Sequence, residues 1–160
     1  MKILHVIPNL IKGGAQRLLI DICNELKNHN DFEVKIIVLS NSKNAFSFNS
    51  QGLDIEYCNV KLEFSIFKKN IIKIQPYESI LDEFKPNVVH SHLYFSELVT
   101  HQFPRKKIKY ITHFHDNIPQ FSRIKLNSVF FKEKITNFYE KKRLFLKYNK
   151  AKKLFITISE

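Results

Sequence analysis

Two pairs of histidines at the ends of apolar segments carry the most evident chemistry in this chain. His90 and His92 lie in the run NVVHSH, and His113 and His115 lie in the run KIKYITHFH. Because strand side chains alternate between two faces, each pair shares one face. Four imidazoles on neighbouring strand ends could bind zinc or another transition metal, or they could line a ligand cleft. Structural zinc sites usually include thiolates and none is near, so we expect a cleft and no metal.

A pair of glycines forms the second candidate site. Gly13 and Gly14 are two of only three glycines, and they lie in the run PNLIKGGAQR between an apolar segment and a helical pattern. The pair could be a tight turn that needs a positive φ. It could instead let an anion approach the backbone N–H groups at the positive end of a helix. The run matches neither the dinucleotide fingerprint nor the phosphate-binding P-loop.

The remaining reactive residues are expected to be structural. Cys23 and Cys58 have no metal or redox spacing, so we expect small core residues in a reducing compartment. We expect His5 to be a packed strand residue and His101 a helix-surface residue. His29 is expected at a helix end, where the helix dipole favours it.

Positive charge is concentrated in the C-terminal third of the chain. The net charge is +11, and residues 105–153 contain 15 Lys and Arg against three Asp and Glu. A long amphipathic helix is predicted at about residues 127–150. Its apolar side comprises Phe131, Ile135, Phe138, Tyr139, Phe145 and Leu146. Its basic residues include Lys132, Lys134, Lys141, Arg143 and Lys147. We favour a core-packed helix with a solvated basic face over one lying on anionic lipid, and we expect no nucleic-acid binding.

The histidines and the glycine pair can form one site only if the fold brings the ends of several strands together. The sequence pattern predicts such a fold. Apolar runs alternate with amphipathic patterns; the runs are KILHVIP, EVKIIVLS, DIEYCNV, NVVHSH, KIKYITHFH and LFITIS. Continuous apolar strands between helices are typical of a parallel sheet covered on both faces. We therefore predict an α/β, Rossmann-like doubly wound sheet that binds ligands at the carboxyl ends of its strands. A helical stretch is predicted after DIEYCNV, which Pro76 breaks or restarts.

Length and composition set the outer limits. The chain has 160 residues, of which 44% are hydrophobic, enough for one domain with a real core. The first residues lack a cleavage site for a signal peptide, and no apolar run is long enough to span a bilayer.

Four segments together resemble the family-4-like glycosyltransferases of the GT-B fold. ILHVIPNLIKGGAQRLLIDICNEL resembles the family's opening strand, glycine-pair loop and helix with the pattern G-G-A-[EQ]-R. KPNVVHSHLYFSELV resembles its PDVVHxH strand and the following helix. ITHFHDN resembles its xTxHD strand end, and KAKKLFITISE resembles its ADxIIAVSE strand. The segments follow the family's order and cover nearly the whole chain.

The resemblance implies a retaining enzyme that transfers a sugar from a nucleotide-diphosphate sugar to a glycan or lipid-linked acceptor. Gly13 and Gly14 would approach the donor diphosphate, and His115 would contact the transferring sugar. His92 and Asp116 match substrate-binding positions near the cleft. No cofactor is implied beyond the donor substrate. Many relatives act on membrane-surface acceptors, which implies a cytoplasmic protein, peripheral at the inner face of the cell membrane.

The resemblance also implies a missing partner domain. The family's C-terminal domain carries the nucleotide pocket and an E-x7-E motif. Glu25 and Glu33 have this spacing but straddle a helix end and a strand, so we treat that match as chance. We expect residues 1–160 to be an N-terminal domain, incomplete at its C-terminus and inactive alone. The alternatives are a gene remnant, or a non-catalytic module that docks by its basic helix on anionic membrane or on a separate catalytic chain.

Overall fold

The computed structural model describes residues 1–40, 52–65, 68–115 and 132–157, without the side chains of residues 132 and 133. The strands are β1 Lys2–Ile7, β2 Glu33–Val38, β3 Asp54–Tyr57, β4 Lys61–Glu63, β5 Ile71–Lys73, β6 Val88–His92, β7 Lys109–Phe114 and β8 Lys152–Thr157. The helices are α1 Gly14–Lys27, α2 Gln75–Phe84, α3 Tyr94–Thr100 and α4 Lys132–Tyr148.

Six strands form one parallel sheet in the order β3-β2-β1-β6-β7-β8. The chain builds outward from β1 to β3, then returns to the other side of β1 and continues through β6 to β8. This reversal makes β1 and β6 the switch point of a doubly wound sheet, where such folds bind ligands at the carboxyl ends of their strands. The predicted fold class is confirmed.

The sheet has a hydrophobic core on each face, because its strand residues alternate. Leu4 and Val6 of β1 pack in the larger core with residues of α2, α3 and α4. Ile7 packs in the smaller core with Leu19 and Cys23 of α1. His5 lies two residues before Ile7 on the same strand, so it also faces α1. The residues of β6 and β7 that lie beside it in register face α1 as well.

The region between β3 and α2 differs from the prediction. A two-stranded antiparallel hairpin, β4 and β5, occupies part of the segment predicted to be helical. The segment alternates with period two, since Leu62 and Phe64 are buried while Glu63 is exposed. The helix α2 begins with Pro76 in its first turn, where a missing N–H costs nothing, so the proline starts the helix and does not interrupt it.

The long helix α4 exposes residues that were predicted to form its packed side. Leu144 and Tyr148 are buried, whereas Phe138, Phe145 and Leu146 are exposed, the last to 62%. The predicted apolar side is therefore right only in part, since Tyr139 packs against the larger core whereas these three residues do not. Single-sequence periodicity cannot show which of several aromatic residues meets the core. Predicted helical residues 127–131 lie outside the described residues. Among the described helices, none is both long and apolar enough to cross a membrane.

Candidate functional site

Five histidines from three adjacent strands gather on the α1 face of the sheet. The ring centroid of His92 lies 5.7 Å from that of His113 and 5.6 Å from that of His115. The ring centroids of His90 and His113 are 5.8 Å apart. The predicted pairs therefore share a face and adjoin each other. The fifth member is His5, a packed strand residue as predicted, whose ring lies 5.0 Å from that of His90. Its membership was missed, although the strand order of a doubly wound sheet would have placed β1 beside β6.

Three of these imidazoles form a continuous hydrogen-bonded chain. His5 Nδ1 lies 3.1 Å from His92 Nε2, and His92 Nδ1 lies 3.3 Å from His115 Nε2. Each contact needs one N–H donor and one lone pair, so the protonation of one ring sets that of the next. The chain links the middle of β1 to the residue that follows β7, at the carboxyl edge of the sheet.

Burial keeps the inner histidines uncharged. It lowers the pKa of His5 to about 3 and that of His90 to about 4, and neighbouring histidines contribute in the same direction. Burial also holds the pKa of His92 well below its ordinary value and lowers that of His113. At neutral pH these rings therefore both donate and accept hydrogen bonds and carry no charge.

Several nitrogens of this cluster have unused hydrogen-bonding capacity. Within the described residues, His5 Nε2, His90 Nε2 and His113 Nδ1 are buried without a hydrogen-bond partner. A buried polar group left unpaired costs about 1–3 kcal/mol, so a partner that paired with these nitrogens would stabilise the domain. The arrangement is typical of a site that a ligand, an ion or water completes.

The backbone beside this cluster is strained. Leu93 follows His92 directly and has a φ of 67°, a backbone angle that residues other than glycine rarely adopt. Its N–H points to the carbonyl oxygen of His113 at 3.4 Å, and its side chain packs against the core under α1. Strain of this kind costs about 1–3 kcal/mol and is concentrated at functional sites.

The glycine pair lies at the same edge of the sheet, after β1. Gly13 has an extended φ of −171°, and of the three glycines only Gly52 has a positive φ. The interpretation of the pair as a turn that needs a positive φ is therefore wrong. A Cβ added to Gly14 would meet nothing within 4 Å, whereas one on Gly13 would lie 2.5 Å from Oε1 of the buried Gln16 side chain, which is hydrogen-bonded to Asn9. Packing therefore favours glycine at position 13, while Gly14 leaves an open approach to the start of α1.

Comparison with known proteins identifies the family. The model of Glycosyltransferase Family 4 matches residues 12–160. The chain belongs to glycosyltransferase family 4. Its fold is that of the N-terminal, Rossmann-like half of a GT-B enzyme. No curated protein sequence matches it significantly.

Solved structures share the fold at low sequence identity. UDP-GlcNAc 2-epimerase from Neisseria meningitidis, bound to UDP-GlcNAc, has a TM-score of 0.50 and 16% identity over 95% of this chain and 46% of its own. MurG from Acinetobacter baumannii has a TM-score of 0.48 and 9% identity over 70% of this chain and 34% of its own. The family 4 domain thus spans less than half the length of either protein.

Two of the predicted site positions are not fully placed. Asp116 lies outside the described residues, and so does the side chain of Lys132. His92, His113 and His115 lie together, whereas Gly13 and Gly14 approach the same edge from β1. The roles of all these residues stay predictions.

The basic residues of α4 divide into two groups. Lys134 is exposed. Arg143 packs over the ring of Phe64 at 4.7 Å, and Lys147 Nζ donates a 2.9 Å hydrogen bond to the Gln102 carbonyl. These two cations therefore fasten α4 to the rest of the domain, in addition to any role at a surface.

A second buried polar cluster, on the opposite face of the sheet, was missed by the sequence analysis. Glu97 of α3 is fully buried and accepts a hydrogen bond from the Tyr148 hydroxyl of α4. Burial raises the pKa of this carboxyl to about 7, although the Tyr148 and Thr112 hydroxyls act in the other direction. The signal was weak, because nothing near an acidic residue in a helical pattern shows that a distant helix will cover it.

His101 belongs to this second cluster and corrects a prediction. It was expected on a helix surface but is fully buried at the end of α3. Its ring lies 5.2 Å from the rings of both Tyr110 and Tyr148, and its Nδ1 donates to the Glu97 carbonyl oxygen at 3.1 Å. The packing of α4 against α3 buries it, a contact between distant parts of the chain.

Proposed function

We propose that this domain is the acceptor side of a retaining glycosyltransferase that moves a sugar from a nucleotide-sugar donor to a glycan or lipid-linked acceptor. The observation that carries the proposal is the histidine-lined face, which ends at His115 on the same carboxyl edge of the sheet as the start of α1. A nucleotide-binding C-terminal domain, in the same or a separate chain, completes the cleft. The enzyme works in the cytoplasm, at the inner face of the membrane.

The glycine pair would stabilise charge on the departing diphosphate. The first N–H groups of α1 have no partner within the helix, and the helix dipole adds positive potential at this end. Gly14 leaves this end open, since a Cβ there would meet nothing within 4 Å. Negative charge grows on the diphosphate as the sugar bond breaks, so donors fixed in place here lower the barrier.

His115 would orient the transferring sugar. Its Nε2 lies 3.3 Å from His92 Nδ1, and His92 is in turn held by His5 at 3.1 Å. Both supporting rings are buried, so the third ring is fixed without the entropy cost of ordering it at each turnover. Asp116 follows His115 directly and is assigned to the same substrate.

A transfer assay tests this function. The domain is joined to a nucleotide-sugar-binding domain of the family and assayed with a panel of nucleotide sugars. We expect His115→Ala and Gly14→Val each to lower kcat at least about tenfold, since each removes an oriented contact worth more than 1.4 kcal/mol. The control is His29→Ala, an exposed residue just after α1, which should leave kcat unchanged. Full activity of Gly14→Val would contradict the phosphate role.

The domain alone should be nearly inactive. Half a cleft leaves the diphosphate mostly in water, where each electrostatic contact is weak. We expect no detectable turnover of nucleotide sugars by the 160 residues. Clear turnover without a second domain would contradict the assignment of this domain to the acceptor side.

A second candidate function is docking on anionic membrane. Exposed Phe145 and Leu146 lie on α4 beside Lys141 and Lys142, which combines apolar and basic side chains on one surface. We expect the domain to sediment with phosphatidylglycerol vesicles at low salt and to dissociate at high salt. Lys141→Glu should weaken this binding, whereas Lys27→Glu at the end of α1 should not. Absence of binding at low salt would remove this function and leave a partner chain as the occupant.

A further inference from the structure

Three histidines converge at the switch point of the sheet. His5 lies opposite His90 in the register of β1 and β6, and His92 lies two residues further along β6. The ring centroids are 5.0 Å apart for His5 and His90, 5.4 Å for His5 and His92, and 4.2 Å for His90 and His92. All three side chains are buried. We name them the switch-point triad.

The nitrogens of the switch-point triad lie close together, and two of them have the spacing of metal ligands. One ring nitrogen from each histidine lies within 4.8 Å of the other two. His5 Nδ1 and His92 Nε2 are 3.1 Å apart. Two imidazole nitrogens bound to one tetrahedral zinc at about 2.0–2.1 Å are roughly 3.3 Å apart, which follows from the tetrahedral angle. The pair is therefore already placed to share one ion.

The surroundings of the triad also favour an ion. Within the described residues, His90 Nε2 is buried without a hydrogen-bond partner. A hydrogen bond between His5 and His92 explains one short distance but leaves His90 without a partner. An ion shared by the three rings would be a common partner for all of them. The strained Leu93 adjoins His92 and fixes the end of β6.

The donor set selects the class of ion. Three imidazoles without a carboxylate or thiolate suit zinc, nickel, cobalt or copper, whereas magnesium, calcium and manganese prefer oxygen ligands. Three protein ligands with a fourth position open are typical of non-structural zinc sites. We propose that His5, His90 and His92 bind one divalent transition-metal ion of the zinc class.

Binding at the triad would also fix the neighbouring site. With His92 Nε2 on the ion, its Nδ1 carries the proton and donates to His115 Nε2 at 3.3 Å. Metal-bound histidines commonly orient their surroundings in this way through the second ring nitrogen. The ion would thus hold His115 in one tautomer. The metal site itself does not depend on the proposed sugar transfer.

Metal titration of the 160-residue chain, prepared without a polyhistidine tag, tests the proposal. We expect about one equivalent of zinc to remain after dialysis, and cobalt(II) added to the metal-free chain to give the intense visible bands of a tetrahedral site. His5→Ala and His90→Ala should each weaken cobalt binding at least tenfold. His29→Ala, an exposed histidine just after α1, should bind as the parent does.

Further variants keep the result decisive. His90→Gln preserves a polar side chain of similar length, and circular dichroism of each variant shows whether it is folded. His113→Ala should retain cobalt binding, because His113 lies outside the triad. Loss of binding in His113→Ala would move the site to the other possible group, His92, His113 and His115, and would overturn our ligand assignment. Equal binding by parent and triad variants, or no binding by the parent, would overturn the site. A failed transfer assay with intact metal binding would contradict only the proposed function.

Discussion

The two faces of β6 and β7 carry buried polar residues of opposite kinds. Facing α3 and α4, Ser91 Oγ lies 3.3 Å from Thr112 Oγ1, and Tyr148 donates to Glu97. Facing α1, the alternating residues are histidines, and several of their nitrogens have no partner among the described residues. Unpartnered atoms occur on both faces, since Glu97 Oε2 and His101 Nε2 also have no hydrogen-bond partner among the described residues. The two faces therefore differ in the kind of side chain that they bury, which is hydroxyl and carboxyl groups on one and a cluster of imidazoles on the other.

The largest expected effect is a loss of stability in acid, which comes from the histidines on the α1 face. Burial holds the pKa of His5 at about 3 and that of His90 at about 4, both below the unfolded value of 6.5. Their contribution to stability is therefore complete above pH 6.5 and is lost as the pH falls. Each histidine with a folded pKa near 4 contributes on the order of 3 kcal/mol of destabilisation at pH 4. We expect the urea midpoint of the metal-free domain to fall steeply between pH 6.5 and 4. A flat profile would contradict the burial of neutral imidazoles.

Glu97 should respond to pH in the opposite sense. Its folded pKa of about 7 lies above its unfolded value of 4.5, so its contribution is complete below pH 4.5 and is lost as the pH rises through 7. Glu97→Gln removes this dependence and keeps an oxygen that can accept from Tyr148. We expect the free energy of unfolding of the variant, relative to the parent, to increase by on the order of 3 kcal/mol from pH 4.5 to 8. An unchanged difference across this range would show that Glu97 titrates normally.

Removing one hydroxyl tests the structural face. Tyr148→Phe leaves the Glu97 carboxyl without its donor in a buried position. We expect the free energy of unfolding at pH 8 to fall by about 1.5–3 kcal/mol, as for other hydrogen bonds to charged groups. Tyr139→Phe is the matched control, since its hydroxyl contacts Asn70 and Arg143 in a partly exposed position and should cost less. Equal losses in both variants would contradict the special status of the Glu97 contact.

The smallest effect concerns the binding edge. Gly14 has no positive φ and no neighbour that a Cβ would meet, so alanine fits its backbone. Alanine also loses less conformational freedom in a helix, so we expect Gly14→Ala to raise the free energy of unfolding by about 0.5 kcal/mol. Chemical denaturation measures the change. A loss of stability would show that the fold itself requires this glycine, and would weaken its assignment to a ligand.

The sequence predicted what depends on local pattern. Apolar runs gave the six strands of the parallel sheet, and period two placed His90 with His92 and His113 with His115. It did not reveal that Glu97 and His101 are buried, because α4 covers them from about fifty residues away. The hairpin β4–β5 was missed because each of its strands has only three residues, so its alternation covers too few positions to be recognised in the sequence alone. The burial that the sequence analysis missed depends on packing between distant segments of the chain.

The contact between His5 and His92 joins residues 87 positions apart in the chain. Such a contact closes a long loop, and its entropy must be offset before the contact can stabilise anything. The histidine cluster therefore assembles only once β1 and β6 have paired. Any ligand of this cluster binds the native state and not the unfolded chain, so it also raises the melting temperature in proportion to the logarithm of its concentration. Compounds that raise the melting temperature of the purified domain would therefore identify ligands of the histidine cluster.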